Sequence, residues 1–276
     1  MDYMKLSSGR FAYLCKGQGA AVLLLHGLGS SLRDWQAQID YLSRYYKVYA
    51  LDLRGHGDSE PLRARLELAD MAADVAEFIA TLEIDPCFVV GISMGGMVGF
   101  QLLASHPEQV RGFVAINSAP SFPLDSLRVR ARVLVRKAMV RLLGLPALGR
   151  LMAHKLFPHA EQTALRAQFK TRIAGNDQVS YLHALQAILG WSSFPAVQDV
   201  DVPMLIISGD RDYTPLAYKE AYVRQLRNAR LEVIADSGHA TPLDQPAQLN
   251  LLIKNFLDEG VRARRTSGRE PALSSQ

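Results

Sequence analysis

The stretch Val89-Val90-Gly91-Ile92-Ser93-Met94-Gly95-Gly96 decides how the rest of the chain is interpreted. The apolar run from Cys87 to Ile92 predicts a buried strand, and the apolar segment after Ser93 predicts a helix that begins at once. A serine between a strand and a helix lies on a sharp turn, where side chains two positions before and after it would collide with both elements, so glycine is needed there. The pattern predicts an exposed nucleophilic hydroxyl on Ser93, beside the backbone amide of Met94 at a helix N-terminus.

Strand-like and helix-like patterns alternate on both sides of this turn, which predicts an α/β fold with a mostly parallel, eight-stranded sheet flanked by helices. A scaffold helix is expected from Leu66 to Leu82, with Asp70, Asp74 and Glu77 facing solvent, and a closing helix from Pro246 to Leu257. The predicted strand regions are Lys5 to Lys16 as a hairpin, Ala21 to Leu25, Tyr46 to Leu51, Cys87 to Ile92, Val110 to Ile116, Met204 to Ser208 and Ala229 to Ile234.

The composition is typical of a globular protein, with 49% hydrophobic and 21% charged residues in a chain of 276. We predict a core domain formed by residues 1–119 and 196–260, a helical lid inserted at residues 120–195, and a disordered basic tail at 261–276. Cys15 and Cys87 are too few for a disulfide framework or a metal cluster. Because no signal peptide or membrane span is evident, we expect a cytoplasmic protein.

The predicted lid, residues 120–195, begins with a basic amphipathic segment in which Asp125 is the only acid between Phe122 and His159. Most of the net charge of +4 is concentrated there, so we do not expect a nucleic-acid partner. The segment is interpreted either as a plain cover with solvated arginines or as a surface that meets anionic lipid or an acidic substrate. Its cations are Arg128, Arg130, Arg132, Arg136, Lys137, Arg141, Arg150 and Lys155.

A carboxylate and a histidine follow the last two strands of the predicted sheet. Asp210 and Asp212 both lie in the turn after Gly209, and we choose Asp212 because its distance from the strand end lets it turn inward, whereas Asp210 braces the loop. His239 lies beside Gly238 in the loop after the last strand, where a base has access to the sheet edge.

The glycine-rich turn His26-Gly27-Leu28-Gly29 ends the first buried strand. Backbone amides in such a turn can face inward, and we predict that the amide of Leu28 is the second oxyanion donor beside that of Met94. His26 is expected to orient this backbone by hydrogen bonding rather than to act as a base. In the next charged loop, Arg54 and Asp58 are interpreted as ties within the loop in preference to substrate contacts.

Serine, acid and histidine in this chain order, each after a predicted strand, resemble the catalytic triad of the α/β-hydrolase superfamily. The resemblance extends from the turn at His26 to His239, and Gly91 to Gly99 is similar to the corresponding turn of enol-lactonases and small esterases. It implies that Ser93, Asp212 and His239 are catalytic and that neither a cofactor nor a metal is needed. A serine at position 93 argues against dehalogenases and epoxide hydrolases, which use an aspartate there.

The resemblance implies hydrolysis of an ester, a thioester, a lactone or a carbon–carbon bond, or perhydrolysis without a cofactor, and it does not choose among them. We favour a small-molecule ester, and the apolar content of the lid favours medium or long acyl groups. Candidates for lining the pocket are Gly27, His26, Met97 and Asn117. One alternative is an enol-lactone or carbon–carbon bond hydrolase of aromatic catabolism, in which Arg128 or Arg172 would bind a substrate carboxylate. The other is a ligand-sensing receptor that keeps the triad without significant turnover. Through its basic segment the lid is also expected to contact anionic membranes peripherally.

Overall fold

The computed structural model describes residues 1–266 and the side chains of residues 1–263. Eight strands of this region form one sheet, and their bounds are β1 Asp2–Leu6, β2 Gly9–Lys16, β3 Ala21–Leu25, β4 Lys47–Leu51, β5 Cys87–Ile92, β6 Val110–Ile116, β7 Met204–Gly209 and β8 Ala229–Ile234. Their order across the sheet is β1-β2-β4-β3-β5-β6-β7-β8. The pairs β1–β2 and β2–β4 are antiparallel and all others are parallel, which confirms the predicted fold class.

The parallel strands end along one edge of the sheet, because β3, β5, β6, β7 and β8 pair nearly in register. Strands β5 and β7 are buried over their whole length, as expected for parallel strands covered on both faces. The loops after these strands therefore lie side by side, and they contain most of the predicted site residues.

Helices cover both faces of the sheet, and each face has its own buried apolar cluster. Met71 and Phe78 of α2 pack with Val98 of α3 on one face. Ile39 of α1 and Ile253 of α10 pack on the other. The helix bounds are α1 Gln36–Leu42, α2 Leu68–Thr81, α3 Met94–Ser105, α4 Leu127–Leu156, α5 Thr163–Ala174, α6 Gln178–Ile188, α7 Phe194–Val197, α8 Leu216–Val223, α9 Thr241–Asp244 and α10 Pro246–Thr266.

The lid consists mainly of α4, α5 and α6, between β6 and β7. Helix α4 is kinked at Gly144, whose φ of 75° and ψ of 174° are not helical, and Pro146 follows the kink. At the base of the lid the backbones of Ser121 and Ser192 pair as an antiparallel bridge. A small apolar cluster of its own holds the lid helices together, and its buried members are Val140, Leu145, Leu148, Ile173, Tyr181 and Leu185.

Two sequence predictions about helices are wrong in part. Helix α10 continues to Thr266 instead of ending at Leu257, because Val261 extends its apolar face onto the sheet. Residues 261–266 of the predicted tail are therefore helical, while 267–276 lie outside the described residues. Asp74 of α2 does not face solvent; it is buried and forms an ion pair with Arg54.

Within residues 1–266, no helix combines the length and the apolar character that crossing a bilayer requires.

Candidate active site

Ser93 occupies a strained turn between β5 and α3, with φ of 52° and ψ of −117°. The glycines around it are required by close packing: a Cβ on Gly91 would lie 2.4 Å from the carbonyl oxygen of Gly95, and one on Gly95 would lie 2.2 Å from that of Leu25. The amide of Ser93 donates to the carbonyl oxygen of Ile116 on β6 at 3.0 Å. The surrounding backbone thus holds the turn in a conformation that an isolated serine would avoid.

The loop after β3 runs beside Ser93. A Cβ on Gly27 would lie 3.4 Å from the Cβ of Ser93 and 4.0 Å from its hydroxyl oxygen. From the lid, the side-chain amide of Asn176 donates to the carbonyl oxygen of Gly29 at 2.9 Å and so fixes this loop. The amide of Met94 is the first of α3 and has no acceptor within the helix. The oxyanion role of the Leu28 and Met94 amides stays a prediction.

His26 is fully buried, and both of its ring nitrogens bond to backbone groups. Its Nε2 accepts from the amide of Leu53 at 3.0 Å, so Nδ1 carries the proton and donates to the carbonyl oxygen of Gly27 at 2.8 Å. Burial and the neighbouring His56 lower the pKa of His26 to about 3. No ring nitrogen of His26 is therefore left to bond to a substrate, and the side chain braces two loops; its predicted place in the pocket stays a prediction.

Asp212 and His239 meet at the edge of the sheet. The Nδ1 atom of His239 lies 2.7 Å from Oδ1 of Asp212, whose side chain is fully buried. Asp210 points elsewhere: its carboxylate accepts from the amides of Asp236 and Ser237, both at 3.0 Å. The structure thus brings Asp212, and not Asp210, to the histidine.

Asn117 at the end of β6 ties the histidine loop to the sheet. Its side-chain nitrogen donates to the carbonyl oxygen of Gly238 at 3.0 Å and to the hydroxyl of Thr241 at 2.8 Å, and its oxygen accepts from the amide of Gly209 at 2.9 Å. The hydrogen bonds of Asn117 are thus used inside the protein, and its predicted place in the pocket stays a prediction. Met97, by contrast, lies one helical turn after Ser93 and remains a pocket candidate.

A buried cation, which the sequence analysis did not single out, sits behind the acid. Lys219 of α8 is fully buried, and its Nζ atom lies 2.5 Å from Oδ2 of Asp212 and 2.8 Å from the hydroxyl of Ser208. Burial alone would raise the pKa of Asp212, but the bonds and charges of His239 and Lys219 outweigh it and lower that pKa. The carboxylate is therefore held ionised between two donors. The available signal was a lysine on the inner face of a helix that packs against β7.

Tyr213, also missed, bonds to the other side of the histidine. Its hydroxyl lies 2.7 Å from Nε2 of His239, and the two rings lie with centroids 4.0 Å apart and planes tilted by 31°. The hydroxyl of Ser93 is near enough to the phenol to lower its pKa slightly, against the larger effect of burial. Although the residue is 48% exposed, desolvation of its hydroxyl and the charge of Asp212 raise its pKa, so the phenol stays protonated. Because Nδ1 of His239 donates to Asp212, the phenol donates to Nε2.

The lid contributes cations to the rim of this site. Arg136 donates from Nε to the hydroxyl of Tyr181 at 2.7 Å, and the ammonium of Lys155 lies 5.2 Å above the ring of Tyr213. Arg172 forms an ion pair with Asp34 in the core. Since its charge is already balanced, Arg172 is a poor candidate for binding a substrate carboxylate.

Arg54 and Asp58 have structural partners, but these partners lie outside the loop after β4, so the two residues anchor the loop to neighbouring segments instead of tying it to itself. Arg54 pairs with Asp74 at 2.5 Å, and Asp58 pairs with Arg33 at 2.9 Å. The buried Asp52 accepts from the amide of Asp58 at 2.8 Å. In the described part of the chain, no group of histidine, cysteine, aspartate and glutamate side chains is arranged to hold a metal ion.

Comparison with known proteins agrees with this architecture. A putative carbamate hydrolase of Yersinia enterocolitica is 30% identical over 249 residues, which cover 87% of this chain and 88% of the relative. The enol-lactonase of Burkholderia xenovorans has a TM-score of 0.86 at 23% identity, covering 93% of this chain and 100% of its own. An esterase of Thermogutta terrifontis has a TM-score of 0.84 at 23% identity, covering 94% of this chain and 98% of its own.

A sequence profile of the α/β hydrolase fold matches residues 20–246, which include Ser93, Asp212 and His239. The match covers most of the chain, and it agrees with the identity to the carbamate hydrolase and with the sheet order described above. These findings confirm the resemblance noted in the sequence: the chain belongs to the α/β-hydrolase family.

Proposed function

We propose that this protein hydrolyses carboxylic esters through an acyl-enzyme formed on Ser93. The observation that supports the proposal most strongly is the bond between the buried carboxylate of Asp212 and Nδ1 of His239, at the same sheet edge as the strained turn of Ser93. Nε2 of His239, the nitrogen that faces away from the acid, bonds to the hydroxyl of Tyr213 in the empty site. A carboxylate, an imidazole and an alcohol at one sheet edge are the groups that acyl transfer requires.

In the first step His239 takes the proton of Ser93 through Nε2 while the serine oxygen attacks the ester carbonyl carbon. Asp212 stabilises the resulting imidazolium. The amides of Leu28 and Met94 stabilise the oxyanion, with a contribution of about 3 kcal/mol per donor in comparable sites. The imidazolium then protonates the leaving alkoxide, the carbon–oxygen bond breaks, and the alcohol departs. Water, deprotonated by the same histidine, then attacks the acyl-enzyme. The bond between the acyl carbon and the serine oxygen breaks, the imidazolium returns its proton to that oxygen, and the acid is released.

Tyr213 must leave Nε2 of His239 before this step, because one lone pair cannot accept from the phenol and from Ser93 together. The half-exposed ring lies at the outer side of the site, so it can turn outward when a substrate enters. In this proposal the phenol of Tyr213 bonds to Nε2 of His239 in the empty site and leaves that nitrogen when an ester binds.

The acyl group is proposed to be apolar and of medium or long chain. Leu28 packs against the apolar cluster of the lid, which places that cluster next to the loop beside Ser93. A carbamate, named for the relative of Yersinia enterocolitica, differs from an ester in the atom next to the carbonyl and can react by the same acyl transfer. It belongs in the substrate panel for this reason.

The test measures labelling by a fluorophosphonate and turnover of p-nitrophenyl esters of increasing chain length. In the Ser93→Ala variant labelling should disappear and turnover should fall about 10⁴-fold or more. The matched control is Ser105→Ala on the outer end of α3, which should behave as wild type. Turnover of lactones and carbamates in the same panel shows which class of carbonyl compound the protein hydrolyses fastest.

If the fluorophosphonate did not label Ser93 in folded wild-type protein, the proposal would be contradicted. A single slow turnover per molecule, still dependent on Ser93, would instead favour the receptor alternative. Steady turnover of at least about one per second is expected of an enzyme.

A further inference from the structure

The first half of α4 carries an apolar stripe that faces solvent. Six leucines are exposed among residues 1–263, and five of them lie on this one helix. At about 100° per residue, four large side chains fall within a sector about 100° wide. We call them the lid stripe: Leu127 with 81% exposure, Leu134 with 67%, Val135 with 60% and Leu142 with 81%. A monomeric protein seldom leaves such a continuous row uncovered without a binding role.

Exposed arginines border the lid stripe on both sides. On the same helical projection Arg128 and Arg132 follow one border, and Arg130 and Arg141 follow the other. The sequence has no aspartate or glutamate from residue 126 to residue 160. An apolar face between two basic borders is the pattern of helices that lie in the interface of an anionic membrane.

The inner face of the same helix belongs to the candidate active site. Val140 is buried in the apolar cluster of the lid, and Lys155 lies over the ring of Tyr213. The carbonyl oxygen of Leu156 lies 3.4 Å from the position of a Cβ on Gly238, next to His239. The lid stripe is therefore on the outer surface of the cover whose inner surface contacts the site.

We propose that the lid stripe docks on an anionic lipid surface. The apolar side chains enter the acyl boundary while the bordering arginines contact lipid phosphates. A second copy of this chain is a poorer occupant, because two stripes placed face to face would bring arginines against arginines with no carboxylate of α4 between them. Docking itself does not depend on the proposed esterase activity, so it is tested with the Ser93→Ala protein, which separates failure of one proposal from failure of the other.

The experiment is co-sedimentation of the full chain with vesicles of phosphatidylcholine alone or with about 30 mol% phosphatidylglycerol. We expect binding to the anionic vesicles only, and a steep loss of binding between about 0.05 and 0.5 M NaCl. Leu134→Glu should lower the partition coefficient by about tenfold or more, and the double variant Arg128→Ala/Arg132→Ala by a similar factor. Leu251→Glu, on an exposed leucine of α10, is the matched control and should bind as wild type.

A circular dichroism spectrum and a urea unfolding midpoint equal to those of the Ser93→Ala protein verify that the Leu134→Glu variant folds. Absence of binding to anionic vesicles at low salt would overturn the proposal, as would equal losses for Leu134→Glu and Leu251→Glu. A dimer in solution that Leu134→Glu dissociates would also overturn it, because the lid stripe would then be an interface between copies.

Discussion

At the sheet edge a methyl group on Gly95 would lie 2.2 Å from a backbone oxygen, whereas in the lid a methyl group on Gly175 would lie 3.6 Å from its nearest neighbour. The difference extends to side chains: the central strands are buried completely, while α4 exposes leucines by 60% to 81%. The lid contacts the core through polar and apolar side chains: Asn176 donates to Gly29, and Ala184 and Ile188 of α6 belong to the apolar cluster on one face of the sheet. The turn that holds Ser93 is fixed by backbone packing, whereas the lid is fixed by side chains.

The glycine pair tests this comparison directly and has the largest expected effect. Gly95→Ala should lower the free energy of unfolding by more than about 3 kcal/mol and abolish the proposed esterase activity, because the new methyl group has no room beside Leu25. Gly175→Ala should change stability by less than about 1 kcal/mol and leave activity intact. Urea unfolding and p-nitrophenyl ester turnover measure both. Equal effects of the two substitutions would contradict the comparison.

Buried and exposed lysines provide the next test. Lys219→Met leaves Oδ2 of Asp212 without its cation, so the free energy of unfolding should fall by about 3 kcal/mol. Because Lys219 helps to lower the pKa of Asp212, this loss should be full at neutral pH and should shrink as the carboxylate becomes protonated below about pH 4. Lys170→Met, on an exposed lysine of the lid, should change neither the free energy of unfolding nor its pH dependence. Urea unfolding at several pH values measures both, and a loss in Lys219→Met that does not depend on pH would show that the ammonium does not act on the carboxylate.

Much of the core could be predicted from the sequence because its elements depend on local rules. The turn at Ser93 is determined by two steric collisions that only glycine avoids, and the choice of Asp212 over Asp210 follows from distance along one loop. The roles of Lys219, Tyr213 and Asn117 depend instead on contacts between segments far apart in the chain or on side-chain direction. Local patterns carry little information about such contacts.

The errors have the same origin. Asp74 has the spacing of a solvent-facing residue on α2, yet Arg54 from the preceding loop covers it. We predicted that α10 ends at Leu257 because the apolar periodicity of the sequence weakens after that residue. The helix continues because Val261 still packs against the sheet. For the lid the sequence predicts helices and a basic face, but whether leucines cover the site or face solvent is decided by tertiary packing.

The pH dependence of the free energy of unfolding should distinguish a buried histidine of the core from an exposed histidine of the lid. The folded pKa of His26 is about 3, below the unfolded value of 6.5, so the unfolded chain binds the additional proton as pH falls through 6.5 and stability decreases. Between pH 7 and pH 5 this lowers the wild-type free energy of unfolding by about 2 kcal/mol. The destabilisation caused by His26→Gln should therefore shrink by about that amount at pH 5. For His154→Gln, on an exposed histidine of the lid, we expect no such change; similar behaviour of both variants would refute the assignment.

Tyr213 lies where the core and the lid meet, and its removal has the smallest expected effect. In Tyr213→Phe the base loses a competing hydrogen bond of about 1 kcal/mol, so labelling of Ser93 by a small fluorophosphonate should become about fivefold faster at neutral pH. Tyr181→Phe, on a phenol of the lid that bonds to Arg136 and not to the base, should change the labelling rate by less than about twofold. A tenfold slower reaction of Tyr213→Phe would mean that the phenol carries the proton from Ser93 to His239. Tyr213 would then be a fourth reacting residue at the sheet edge, beside Ser93, Asp212 and His239.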